Sequence, residues 1–300
     1  MRITNNMLSQ NLLRNLEAAQ GRMDTLQNQL SSNQRITKPS DDPIGIGNAL
    51  RIKSSITNVE QWKSNADEAL TYMNTTDSTL GDITSMLQRA SELAIQGANG
   101  SLSADDKTKV ANEIDQINQQ LQTMANTQVG NKYLFGGTAS TTAPYTPGAP
   151  GTWNGPNDQL EFEVGTKVKI SVQAQTLFGG KDANGDMAVF NTLNNLSKVL
   201  KGDATAPVGY TTDTAIAELS SETDTVLAQR ADLGARVNRM QSLRDQLDST
   251  SVNLQKNLSN IMDTDMAKTI VDFNQQQNTY RAALSVGAQI IQPSLVDFMK

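Results

Sequence analysis

Near the start of the chain the apolar positions fall at Leu12, Leu16, Ala19, Met23, Leu26 and Leu30. The steps alternate between four and three, the spacing of a heptad seam on one helix. Arg14, Glu17, Gln20, Arg22 and Asn28 take the polar face. The pattern fades in "SSNQRITKPS", where Pro39 biases the residue before it out of helical geometry and is expected to end the helix. It resumes at Ile52, Ile56, Val59, Ala66, Leu70, Met73, Leu80 and Leu87, with Lys63, Asp77, Thr84 and Ser91 in intervening seam slots. Such a face is leaky rather than dry. This second helix should stop at "QGANGS". A third is predicted from Ser103, whose hydroxyl can cap with Asp106 three residues on, and its seam runs Val110, Ile114, Ile117, Leu121, Met124.

Between Gly130 and about Gly180 the periodicity changes. "LFGGTASTTAPYTPGAPGTWNGPNDQ" is turn chemistry, and "LEFEVGTKVKISVQAQ" alternates apolar with polar residues. The pattern predicts a small β-rich insert with Phe162, Val164, Val168, Ile170 and Val172 facing inward. A short helix follows, with Phe190, Leu193, Leu196 and Leu200 on one side and Gly202 as its stop. The longest seam then runs from Ile216 through Leu219, Val226, Leu233, Val237, Met240, Leu247, Leu254 and Leu258 to Ile261, with Thr223, Arg230, Arg244 and Ser251 in register. At 1.5 Å per residue that helix is on the order of 70 Å long. Past Ile261 the register slips by one residue, and the apolar positions become Met266, Ile270, Phe273, Tyr280, Leu284 and Ile291. The slip marks a joint at "MDTD", where Thr264 or Asp265 can cap a new helix that ends near Pro293.

The expected fold is mainly α: a long coiled-coil and helical-bundle rod with paired N- and C-terminal helices and a small β-rich inserted domain. The expected domains are a terminal coiled coil (1–38 with 265–300), a helical bundle (39–137 with 178–264) and a β-rich outer insert (138–177). Two helices alone leave one flank of each seam uncovered. The seam residues Leu12, Leu16, Met23, Leu26, Leu30, Met266, Ile270, Phe273, Tyr280, Leu284 and Ile291 are therefore expected to be completed by neighbouring copies. A contact to a different patch on the next copy is heterologous and builds a helix of subunits rather than a closed dimer.

Composition narrows the chemistry. The chain has no histidine and no cysteine, which removes the commonest general base, the thiol nucleophile and the usual zinc ligands. A net charge of -6 without a long basic block opposes nucleic acid and anionic membranes as partners. No stretch is long and apolar enough to span a bilayer, and the N-terminal residues lack a signal-peptide core, so if the protein leaves the cytoplasm the expected route is one without a cleaved leader. "DANGD", Asp182 to Asp186, sounds like a calcium loop. Yet Gly185 stands fourth rather than sixth, and Leu193 occupies the twelfth place of the bidentate glutamate. Asp105 and Asp106 read as helix-start charges. No catalytic, cofactor or metal residue is expected.

The stretch "KPSDDPIGIG" sets two carboxylates between prolines. With no histidine or cysteine beside them, they read as a joint rather than an acid pair. Pro39 ends one helix, Asp42 caps the next with Pro43 at its first position, and Asp41 adds charge at the positive helix end. Thr264 and Asp265 are its counterpart on the returning chain, and the pair is expected to mark a domain boundary. Gly45 is tolerable inside that helix start if a neighbour packs close.

"LSSNQRITKPSDDPIGIGNALRIKSSI" near the start, with "RADLGARVNRM", "NIMDTDMAKTIVDF" and "YRAALSVGAQIIQPSLVDFMK" near the end, resembles the paired terminal signatures of bacterial flagellins and their relatives. "KPSDDP", "NKYLFGGT" and "SLVDFMK" are most similar to the hook-associated protein 3 branch, the distal hook-filament junction proteins. The likeness covers roughly residues 1 to 138 and 186 to 300. It implies a non-enzymatic axial adaptor between hook-associated protein 1 and the flagellin filament, present as a ring of copies. It also implies an extracellular place on the flagellum and a cytoplasmic export chaperone on the C-terminal helix. The alternatives are the flagellin of the filament itself and a coiled-coil secretion or translocator protein.

Overall fold

Seven helices carry the described residues: α1 (Asn5–Ser32), α2 (Pro43–Ala98), α3 (Ala104–Ala125), α4 (Ala174–Leu177), α5 (Ala188–Lys201), α6 (Thr212–Met262) and α7 (Met266–Ile291). Six short strands lie between α3 and α4: β1 (Gln128–Val129), β2 (Lys132–Tyr133), β3 (Tyr145–Thr146), β4 (Thr152–Trp153), β5 (Glu161–Glu163) and β6 (Lys167–Lys169). This computed structural model describes residues 5–148, 152–154, 156, 158–180 and 187–291. The calcium-like stretch from Asp182 to Asp186 lies outside them. The fold is mainly α, as the seams predict.

Local chemistry sets the helix ends. The Ser103 hydroxyl accepts from the Asp106 amide at 3.2 Å and opens α3. Gly202 closes α5 in the left-handed conformation, φ 67°, donating its amide to the Lys198 and Val199 carbonyls. The structure corrects the end of α1. It stops at Ser32, before Asn33 at φ 57°, and Pro39 sits in a turn further on. An asparagine tolerates the left-handed stop, so the proline is not what terminates the helix.

The chain divides into two compact units, one of residues up to Asn58 together with those from Ser249, the other Val59–Asp248. The borders differ from the expected domain limits because they fall inside α2 and α6, each of which is continuous there and contributes to both units. In the larger unit α2, α3, α5 and α6 share one core that includes Met73, Leu80, Leu87, Ile114, Leu121, Leu193, Leu196, Leu219, Val226 and Leu233. Two of the polar slots in the α2 seam, Lys63 and Asp77, are matched from α6, and Asp67 beside the seam is matched as well. Asp77 accepts from Arg230 at 2.8 and 3.3 Å, Asp67 accepts from Arg244 at 2.6 Å, and Lys63 pairs with Asp248. Half-exposed pairs of this kind contribute little energy, but their spacing fixes the antiparallel register of α2 against α6.

The strands pair as three separate antiparallel hairpins, β1 with β2, β3 with β4, β5 with β6. In the last, Glu161 faces Lys169 and Glu163 faces Lys167, with Phe162 opposite Val168 between them. Val164, Val168, Ile170 and Val172 are buried as expected, and Phe162 is half-buried. The insert does not stand apart from the bundle. Tyr145 and Trp153 are buried with Phe178 and Phe190, with Tyr145 4.7 Å from Phe190 and Trp153 5.7 Å from Phe178. "NKYLFGGT" anchors the same region: Leu134 and Phe135 are fully buried, and the Tyr72 hydroxyl donates to the Leu134 carbonyl at 2.7 Å. At Gly137, φ 54°, a Cβ would lie 2.2 Å from the Asp158 carbonyl oxygen, so glycine is required there.

Candidate functional site: an assembly face and its clasp

In the smaller unit α1 and α7 pack antiparallel. Leu12 lies against Gly287, where a Cβ would stand 2.6 Å from Leu12 Cδ2, and Gln276 Nε2 donates to the Ala19 carbonyl at 3.4 Å. Leu12, Leu16, Met23, Leu26 and Leu30 are half-buried, and Ala19 between them is buried. The α1 seam thus faces its partner helix.

On α7 the buried and half-buried residues Thr269, Phe273, Gln276, Tyr280, Ala283 and Gly287 form a stripe in steps of four and three, with Gln277 half-buried beside it. Phe273 and Tyr280 of the expected seam belong to it. Met266 (39% exposed), Ile270 (45%) and Leu284 (46%) do not: they turn outward, near Val271 (63%) and Val286 (50%). The Ile291 side chain lies outside the described residues. The stripe toward α1 combines two aromatics, Phe273 and Tyr280, with small or polar residues, while the larger aliphatic ones are left in water. Leu13 and Met7, each 55% exposed, add apolar surface on α1. Monomeric proteins scatter single exposed apolar residues, but several along one helix mark an interaction surface.

The two chain breaks meet inside this unit. The Arg35 amide donates to the Met262 carbonyl at 2.6 Å, the Arg35 guanidinium to the Ile261 carbonyl at 2.8 Å, and the Thr264 amide to the Asn33 carbonyl at 3.3 Å. A single antiparallel bridge pairs Gln34 with Asp263. Pro39 and Ser40 turn the chain, and the Asp41 carboxylate accepts from the Thr37 amide (3.1 Å), the Thr37 hydroxyl (3.0 Å) and the Lys38 amide (2.8 Å). Those amide and hydroxyl donors, with the nearby Lys38 charge, hold the Asp41 carboxyl below its ordinary pKa. Its contribution is present above the ordinary aspartate pKa and fades only as pH falls through the lowered value.

Asp42 caps α2, accepting from the Gly45 amide at 2.8 Å, with Pro43 opening the helix. Ile36, 1% exposed, is tucked against that first turn: a Cβ on Gly45 would lie 2.7 Å from Ile36 Cδ1 and 2.3 Å from Asp42 Oδ2. Asp265 is the cap of α7, accepting from the Lys268 amide at 3.1 Å, and Thr264 bonds the Thr269 hydroxyl at 3.0 Å. Of the expected joint residues, Thr264 bonds directly across the two breaks, and the clasp lies within one unit rather than at the border between units. Asn33, Gln34 and Arg35, which the heptad pattern did not single out, tie the breaks together, while Ile36 packs on the start of α2.

Asp42→Ala is expected to lower the unfolding free energy by about 1 kcal/mol, read as a shift of the urea midpoint. An unchanged midpoint would show that the cap is idle.

Among the described residues no group of three or more acidic, histidine or cysteine side chains is placed to hold a metal ion, and no helix is long and apolar enough to cross a membrane. The profile of the bacterial flagellin N-terminal helical region matches residues 3–140, and that of the bacterial flagellin C-terminal helical region matches residues 211–299. Flagellar hook-associated protein 3 of Escherichia coli is 25% identical over 94% of this chain and 95% of its own length. A flagellin of Bacillus subtilis is 27% identical over 96% of each. Among solved structures, flagellar hook-associated protein 3 of Legionella pneumophila superposes with a TM-score of 0.60 at 18% identity, over 70% of this chain and 98% of that one. FlgL of Bacillus cereus gives 0.56 at 23% identity, over 70% and 99%. Both show a shared fold.

Proposed function

The chain belongs to the bacterial flagellin family, carrying its N- and C-terminal helical regions at the two ends, and on that premise we propose that it is a non-enzymatic structural adaptor joining the flagellar hook to the flagellin filament. The observation that carries this reading is the outward apolar face of α7, Met266, Ile270 and Leu284, on a helix whose other face is already satisfied by α1. Neighbouring copies cover that face through heterologous coiled-coil contacts, so subunits add along an axis instead of closing into a dimer. The full-length likeness to a hook-associated protein 3, together with the "KPSDDP", "NKYLFGGT" and "SLVDFMK" forms, favours the junction over the filament.

On this reading the chain forms a ring of its own copies between hook-associated protein 1 and flagellin. It is exported from the cell, and a flagellar export chaperone shields the C-terminal helix until then. The likeness to a flagellin over nearly the whole chain supports a second reading, in which this protein builds the filament itself. Immunogold labelling separates the two. A single band between hook and filament is expected; label along the whole filament would select the flagellin reading.

A further inference from the structure

In the larger unit, α6 turns two carboxyl groups inward one helical turn apart. Glu218 is well served: its Oε2 accepts from the Thr192 hydroxyl of α5 at 2.8 Å and from the Tyr210 hydroxyl at 2.5 Å. Glu222 is not. Its Oε2 is buried with no hydrogen-bond partner. Its Oε1 fills the place where a side chain on Gly179 would stand, since a Cβ there would lie 2.2 Å away, and Gly179 holds a left-handed φ of 81°. Phe178 and Gly180, on either side of Gly179, are held to the start of α5: the Ala188 amide donates to the Gly180 carbonyl (3.2 Å) and the Val189 amide to the Phe178 carbonyl (3.3 Å).

We propose that Glu222 is a proton-operated latch: protonated, it lets the turn through Gly179 close on α6, and ionised, it loosens the seating of α4 and α5 against that helix. A buried carboxylate without donors is costly, whereas the neutral acid is not. The groups facing it among the described residues do not offset the charge. Glu218 on the same helix repels it, α5 offers an uncharged Thr192, Tyr210 is kept neutral by burial, and the turn presents a glycine. Burial first, and Glu218 second, push the Glu222 carboxyl up to about 7 from an ordinary 4.5. A group raised on folding stabilises the closed form fully below its unfolded pKa. That stabilisation drains away as pH rises, and is gone once pH passes about 7.

Hydrogen exchange of the full chain at the Ala188 and Val189 amides, corrected for intrinsic rates, tests the latch. Between pH 5 and pH 8 the local opening constant is expected to rise at least about tenfold in the wild type and to change less than about twofold in Glu222→Gln. A flat wild type, or the same rise in the variant, overturns the proposal. Should the variant not fold, the wild-type infrared spectrum decides. A protonated-carboxyl band that titrates near neutral pH supports the latch, and absence of such a band at pH 6 rejects it.

Discussion

Deleting residues 265–300 is expected to abolish swimming and incorporation into the flagellum while leaving residues 59–248 folded. The deletion removes α7 and with it the partner of α1, so Leu12, Ala19 and Leu26 lose the face they pack on. It also removes Met266, Ile270 and Leu284, each of which contributes at most about 1.5–3 kcal/mol when fully buried by a neighbour. Three such side chains per contact, repeated on every copy, are ample to decide whether an assembly forms. The core of the larger unit uses none of them, since its buried cluster lies wholly between Trp62 and Leu247. Circular dichroism and the urea transition of that unit should therefore persist. Normal motility of the truncated protein would end the assembly account, whereas loss of all cooperative unfolding would show that the larger unit depends on the terminal helices.

Phe190→Ala should cost about 3–5 kcal/mol. Its ring stands 4.7 Å from Tyr145 of the insert and 5.4 Å from Phe178, and Phe178 in turn meets Phe135 at 5.6 Å and Trp153 at 5.7 Å. Removing it opens a cavity where α5 and the hairpins share their packing. Against a total of about 5–15 kcal/mol for an ordinary domain, that is a large fraction. In a Trp62→Phe background, with Trp153 as the sole indole, fluorescence and far-ultraviolet circular dichroism should shift to lower urea together. If Trp153 melts early while the helical signal holds, the insert is an independent domain after all.

Several helix boundaries are legible because one residue decides each of them. Ser103, Asp42 and Gly202 act through their own hydroxyl, carboxylate or left-handed backbone, and their neighbours in sequence are their partners in space. Asn33 was missed beside the stronger-looking Pro39, although a left-handed asparagine suffices to stop a helix. The α7 face was misread for a deeper reason. Two stripes in steps of four and three share Phe273, Tyr280 and Gly287, one completed by Met266, Ile270 and Leu284, the other by Thr269, Gln276 and Ala283. Hydrophobicity selects the first stripe for burial, but Gln276, which belongs only to the second, is the residue that bonds the Ala19 carbonyl of α1. The clasp depends on contacts between Asn33–Arg35 and Ile261–Thr264, which are remote in sequence and carried largely by backbone groups. No side-chain pattern reports such pairings. The same holds for the insert, whose Tyr145 and Trp153 gave no sign of sharing a core with α5.

The central claim is that the outward α7 face is completed by other copies at the junction. A density map of the native hook-filament junction, resolved to side chains, tests it most directly. The expected result is this chain in one band between hook and filament, with Met266, Ile270 and Leu284 of each copy buried against its neighbours. The contradicting result is the same three side chains in water on every copy, or a junction built without this chain.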